Sequence, residues 1–140
     1  MKYIALIKKS NNAYLAEFPD IPNINTYGKT IQEALQNARE ALNGCLESDF
    51  ERGFTLPKPG QKKYRNSYSI DVEPHIALAY QLRKIRNGMS QSEIARKLGI
   101  SYQAYQKLEN PRRCNPTVKT LEKISEVFGK HLVIALRADA

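Results

Sequence analysis

The residues best suited to chemistry lie between Gln91 and Lys119. Tyr102, Gln103, Gln106 and Lys107 share one outer helical face, while Tyr105 and Leu108 turn to the other side. Gln can bond adenine bidentately at N6 and N7, and Lys can reach guanine O6 and N7. Arg112, Arg113 and Lys119 follow as cations suited to phosphates. Ser101 caps the helix that carries the long polar side chains. Ser90 and Glu93 form a capping box around the start of the preceding helix at Gln91, whose backbone N–H groups suit a phosphate. The expected nucleic-acid set is therefore Gln91, Ser101, Tyr102, Gln103, Gln106, Lys107, Arg112, Arg113 and Lys119.

Other chemistries find less support. Cys45 and Cys114 are too few for a disulfide framework, and neither His75 nor His131 is near a cysteine in sequence. Ser10, Ser48, Ser67, His75 and His131 have no nucleophile-elbow or H-E-x-x-H context. No metal or other cofactor is expected. The chain has 140 residues and a formal charge of +8. Residues 1–66 hold 10 basic and 7 acidic side chains (+3), and residues 67–140 hold 12 and 7 (+5). An excess of positive charge favours an anionic partner such as nucleic acid. No apolar run approaches the ~20 residues that span a bilayer. The opening run Met1 to Ile7 meets Lys8-Lys9 too early for a signal peptide. A cytoplasmic protein with no membrane partner is expected.

These side chains need elements to place them. Lys2 to Lys8 reads as a central strand, Tyr14 to Phe18 as its hairpin partner, and Ile24 to Tyr27 as a third strand. Pro19 and Pro22 stop the second strand. Thr30 and Glu33 form a capping box, and Ile31, Ala34, Leu35, Ala38, Ala41, Leu42, Cys45 and Leu46 line one helical face up to a cap at Gly53. The stretch 55–66 is rich in Pro and Lys, and Tyr68 to Val72 alternates as a returning strand. The order β-β-β-α-β predicts an α+β domain over residues 1–72, one helix on a small sheet. Residues 73–140 predict an all-α domain: His75 to Asn87, Gln91 to Leu98, a turn at Gly99, a helix after Ser101, and one capped by Asn115 with Pro116 first. That last helix would bury Val118, Leu121, Ile124 and Phe128. Two short helices joined by a Gly turn form a helix-turn-helix. A short final strand closes the chain, in which Leu132, Val133, Ile134 and Leu136 either pair with a two-fold mate or dock on their own helices.

Met89 to Ser101, followed by Leu108-Glu109-Asn110, resembles the Xre/Cro-like helix-turn-helix family. Asn110-Pro111 stands where that family usually has a Gly. The first half resembles the HicB antitoxin family. The matching segments are Glu17 to Pro22, Thr26 to Thr30, Glu33-Ala34, Asn37 to Leu42, and Leu56-Pro57-Lys58-Pro59. Asn23-Ile24-Asn25 departs from it, since a Gly-Cys pair is common there. The resemblance implies a partial ribonuclease-H-like fold. It also implies binding of a HicA-like mRNA interferase toxin and repression of the pair's own promoter at operator DNA.

Ribonuclease-H chemistry needs carboxylates converging on Mg²⁺, one of them on the first strand. Lys2 to Lys8 carries none, and Asp71 and Glu33 are isolated, so no catalytic residue is expected. Within the resemblance, Tyr14, Phe18, Asp20, Glu33, Glu40 and Glu47 are candidates for the toxin surface. Glu33, Glu40 and Glu47 form a stripe at seven-residue spacing. That stripe is either the solvated back of the helix or a dock for a basic toxin, and the aromatics are either core or contacts. One helix-turn-helix reads few base pairs, so a homodimer or dimer of dimers is expected. The expected function is an antitoxin and transcription repressor. The alternative is a free-standing Xre-type regulator whose first domain binds a ligand or another protein.

Overall fold

The computed structural model describes residues 1–138. The chain divides into two compact units, Met1–Ala77 and a second beginning at Leu78. The boundary falls inside a helix rather than at residues 72/73.

The first unit is a four-stranded antiparallel sheet with one helix on it. Its strands are β1 (Lys2–Ser10), β2 (Ala13–Phe18), β3 (Ile21–Gly28) and β4 (Ser67–Asp71), in the spatial order β3-β2-β1-β4. β1 is central, as its apolar pattern predicts. Only one of its faces is fully covered: Tyr3, Ala5 and Ile7 are buried, while Ile4 and Leu6 are half-buried. Helix α1 (Ile31–Glu51) buries a column at four-residue spacing, Ala34, Ala38, Leu42, Leu46 and Phe50. Thr30 caps it, its Oγ1 accepting the Glu33 N–H at 3.0 Å. Arg52 is the C-cap, and Gly53 follows it at φ +85°. Gly28 ends β3 where a Cβ would come within 2.3 Å of the Ala34 backbone nitrogen. Only glycine lets the helix start that close to the strand.

Pro22 does not flank the sheet. It lies inside β3, which begins three residues earlier than expected. β3 is an edge strand, where a missing N–H is tolerated. A register irregularity at Glu17/Phe18 marks where β2 meets the new start of β3.

Helix α2 (Pro74–Ile85) crosses the unit boundary. The second unit continues with α3 (Gln91–Leu98), α4 (Tyr102–Leu108) and α5 (Val118–Val127). Leu82, Ile94, Ala95, Leu98, Tyr105, Leu108 and Ile124 form its core. Ser90 and Ser101 cap α3 and α4 as expected, and Gly99 joins them at φ +70°. The α5 cap is Thr117, not Asn115, because the Thr117 Oγ1 accepts the Thr120 N–H at 3.1 Å; Pro116 therefore lies outside the helix. Val118 is also outside the core, at 61% exposure. In the turn after α4, Pro111 is fully buried and Asn110 organises the backbone around it. Its carbonyl accepts the Arg113 and Cys114 N–H groups, and its side chain accepts that of Arg112.

The final strand is not formed within the single chain. Residues 130–138 carry no regular element, and Leu132, Val133, Ile134 and Leu136 are exposed. A strand exists only against a neighbour, and no strand among the described residues pairs with this run. No helix among the described residues is long and apolar enough to cross a membrane.

Candidate functional site

Two surfaces carry the expected site residues, one on each unit. On the second unit, α4 presents Tyr102, Gln103, Gln106 and Lys107 to solvent while burying Tyr105 and Leu108. The Gln106 Nε2 donates to the Tyr102 hydroxyl at 2.9 Å, which orders both on the outer face. Ser101 is committed to capping, its Oγ accepting the Ala104 N–H at 3.0 Å. Arg112 and Arg113 are exposed on the turn after α4, and Lys119 is exposed in the first turn of α5. Gln91 differs from the rest. It is half-buried, and its Nε2 reaches Glu109 Oε1 at 3.4 Å, so its side chain serves the interior.

Behind this face lies a clamp that sequence reasoning missed. The Arg86 guanidinium grips Glu109 bidentately, Nε to Oε2 at 2.6 Å and Nη2 to Oε1 at 3.1 Å. Its Nη1 donates to the Met89 carbonyl at 2.8 Å. The Glu109 side chain is only 4% exposed. The hydrogen bond to Glu109 pushes the Arg86 guanidinium above its ordinary range, against the opposing effect of burial. The clamp ties the end of α2 and the turn before α3 to the end of α4. The Tyr105 hydroxyl is buried beside the clamp, and burial, with Glu109 next to it, pushes the phenol well above its usual range. A signal existed: Glu109 stands four residues after Tyr105, on the inward face. Cys114 is buried in the basic turn, and burial pushes its thiol up to about 11, far from thiolate chemistry.

On the first unit the candidate toxin residues scatter. Phe18 is 1% exposed and belongs to the core, which removes it as a contact. Tyr14 is half-buried. Asp20 accepts the Gly60 N–H at 2.9 Å, pinning the Pro-rich loop. Glu33 accepts the Lys29 N–H at 3.1 Å in the capping arrangement. Glu40 is exposed and accepts from Gln36. Glu47 leaves the solvated stripe: it is half-buried, 3.7 Å from His75 Nε2. Asn43 was not anticipated either. It is buried, donates to the Arg39 and Asp71 carbonyls at 3.0 and 3.4 Å, and accepts the Glu73 N–H at 2.7 Å. The uncovered sheet face carries Ile4, Leu6, Leu15 and the exposed Tyr27, with Lys8 paired to Glu17 at 2.6 Å.

The carboxylates do not converge. Asp71 is exposed, 3.8 Å from Lys2, and Glu33 is engaged at the helix cap. Among the described residues no three His, Cys, Asp or Glu side chains are placed to hold a metal ion.

Comparison with known proteins gives this arrangement a family. Residues 2–77 match the HicB-like antitoxin of bacterial toxin-antitoxin systems, and residues 80–134 match a helix-turn-helix family. The chain is 27% identical over 139 residues to antitoxin HicB 1 of Photorhabdus laumondii, covering 97% of this chain and 87% of that one. It is 25% identical over 141 residues to antitoxin HicB of Escherichia coli K12, covering 97% and 99%. The solved N-terminal domain of the Burkholderia pseudomallei antitoxin HicB is 25% identical, with a TM-score of 0.46, over 52% of this chain and 99% of that one. The antitoxin match spans more than half of the 140 residues, and the reading face of α4 lies within the helix-turn-helix match: the chain belongs to the HicB-like antitoxin family and carries a C-terminal helix-turn-helix DNA-binding domain.

Proposed function

We propose that the chain is the antitoxin of a HicA–HicB-type pair. Its first unit binds and neutralises a small RNA-cleaving toxin. Its second unit represses the pair's own operon by binding operator DNA in the cytoplasm. The chain acts by binding and catalyses nothing itself. Gln103, Gln106 and Lys107 read bases, with Tyr102 beside them. Arg112, Arg113, Lys119 and the capped helix starts at Gln91 and Ser101 hold phosphates. Glu33 and Glu40, with Tyr14 on β2 and Asp20 in the turn after it, contribute to the toxin surface. Two copies join through Leu132, Val133, Ile134 and Leu136, whose exposed apolar run fits a strand paired across a two-fold axis.

One observation carries the reading: a polar face on α4, fixed from behind by the Arg86–Glu109 clamp, in a chain whose other unit is an antitoxin domain. The test is co-expression of the tagged chain with the small basic reading frame beside its gene. Co-purification, relief of growth arrest and retardation of the shared promoter fragment are expected. Promoter binding without any toxin partner would favour the free-standing regulator instead.

A further inference from the structure

The loop between α1 and β4 is an unexplained concentration of charge. Residues 58–65 hold four cations, Lys58, Lys62, Lys63 and Arg65, and no carboxylate. The unit Met1–Ala77 as a whole holds ten basic and nine acidic side chains. Four of the ten lie in this loop, leaving six against nine elsewhere. A +4 arc therefore sits on a body of net charge −3.

A linker of this composition would be solvated and mobile. This loop is fastened at both ends. Leu56 is buried, the Tyr3 hydroxyl donates to the Pro57 carbonyl, and the Gly60 N–H donates to Asp20 at 2.9 Å. On the far side Asn66 takes a left-handed conformation at φ +53°, and its carbonyl accepts the Ile7 N–H at 3.2 Å. The Ser67 hydroxyl donates to the Tyr64 carbonyl at 2.9 Å. The four cations between and beside these anchors are exposed, and no carboxylate among the described residues lies within ion-pair distance of them. The Lys62 ammonium lies over the Tyr64 ring at 5.2 Å, and Tyr68 is exposed at the start of β4.

Like charges held together in a fastened arc repel one another, and a polyanion relieves that repulsion. Fastening also removes much of the ordering cost of binding. Cations interleaved with aromatic rings track a phosphodiester backbone while offering faces to bases. An acidic protein surface would use the cations and leave the rings idle. We propose that the Lys58–Arg65 arc is a second nucleic-acid contact, built into the antitoxin unit itself, that holds the phosphodiester backbone. The choice of nucleic acid rests on the operator-binding reading of the second unit. The backbone comes either from duplex flanking the operator or from single-stranded RNA.

The test uses the full-length protein and the triple variant Lys62→Gln, Lys63→Gln, Arg65→Gln. Binding is measured against salt on operator duplex, on random duplex of equal length and on single-stranded RNA. If duplex is the source, affinity falls by the same factor on both duplexes, and the log–log salt slope flattens by about two to three units. If RNA is the source, the loss is confined to RNA. The variant Lys62→Arg, Lys63→Arg keeps wild-type binding. Because these side chains are exposed, thermal unfolding is unchanged. Wild-type affinity and slope on all three probes overturn the proposal, and so does a loss confined to toxin binding. Failure of the wild-type chain to prefer operator over random duplex sinks the operator reading, while the arc is still judged on random duplex and RNA.

Discussion

The two units fasten their interiors with different chemistry. In the first, a neutral amide, Asn43, ties α1 to the end of β4 and the chain leaving it through two hydrogen bonds to backbone groups, while a third stays within the helix. In the second, a charged pair, Arg86 and Glu109, ties α2 to α4. The first unit has a sheet whose ladders already fix strand positions, so an amide suffices to close it. The second has four short helices with no ladder between them, and a stronger, directional clamp sets their angles. The difference predicts that the helix-turn-helix fails harder than the antitoxin unit when its fastener is removed.

The largest effect is therefore expected from Glu109→Ala. It leaves the Arg86 guanidinium largely buried without its partner, at a cost of about 3–5 kcal/mol. Urea unfolding should show the second unit lost, with operator binding abolished and toxin binding kept. Equal loss of both activities would mean that the two units do not fail separately.

Truncation after Lys130 comes next. If Leu132 to Leu136 joins two copies, the mass by light scattering halves. Binding to a palindromic operator then falls by roughly 10²–10⁴-fold, because the second half-site no longer binds at high effective concentration. A truncated protein that stays dimeric assigns dimerisation to another surface.

Gln103→Ala sharpens the picture of the reading face. It should cost about 1–3 kcal/mol on operator and little on random duplex, whereas Arg113→Ala should weaken both and flatten the salt slope by about one unit. Equal weakening of both sequences by Gln103→Ala removes its base-reading role. Asn43→Ala is the counterpart of Glu109→Ala. It leaves the Glu73 N–H unsatisfied, at about 1–3 kcal/mol, and should lower toxin binding before operator binding. The smallest effect is expected from Glu40→Lys, an exposed charge reversal that should weaken toxin binding by up to about 1 kcal/mol without changing the unfolding curve. Unchanged affinity in titration calorimetry would return α1's acidic face to solvent.

The second unit was legible because its signals are local. Ser90, Gly99 and Ser101 act on residues within four positions, and the outward set on α4 follows from a 3.6-residue period. The same logic misplaced the α5 cap. Asn115 and Thr117 both suit a cap, and the structure seats Thr117, whose Oγ1 accepts the Thr120 N–H. In the first unit, composition could not say which aromatics face out. Phe18 and Tyr27 are both strand aromatics, yet one is 1% exposed and the other 69%.

The element order up to α5, the capped starts of α1, α3 and α4, the outward face of α4 and the family were legible in the chain alone, because each depends on neighbours a few residues away or on an ordered set of motifs. Tertiary structure decided which carboxylates remain available. It set Glu47 beside His75, buried Glu109 under Arg86, and turned Asp20 into the anchor of a loop forty residues away. It also turned a stretch that reads as a linker into a fastened basic arc. Those partners lie far apart in sequence, and only strand register and helix packing bring them within hydrogen-bond reach.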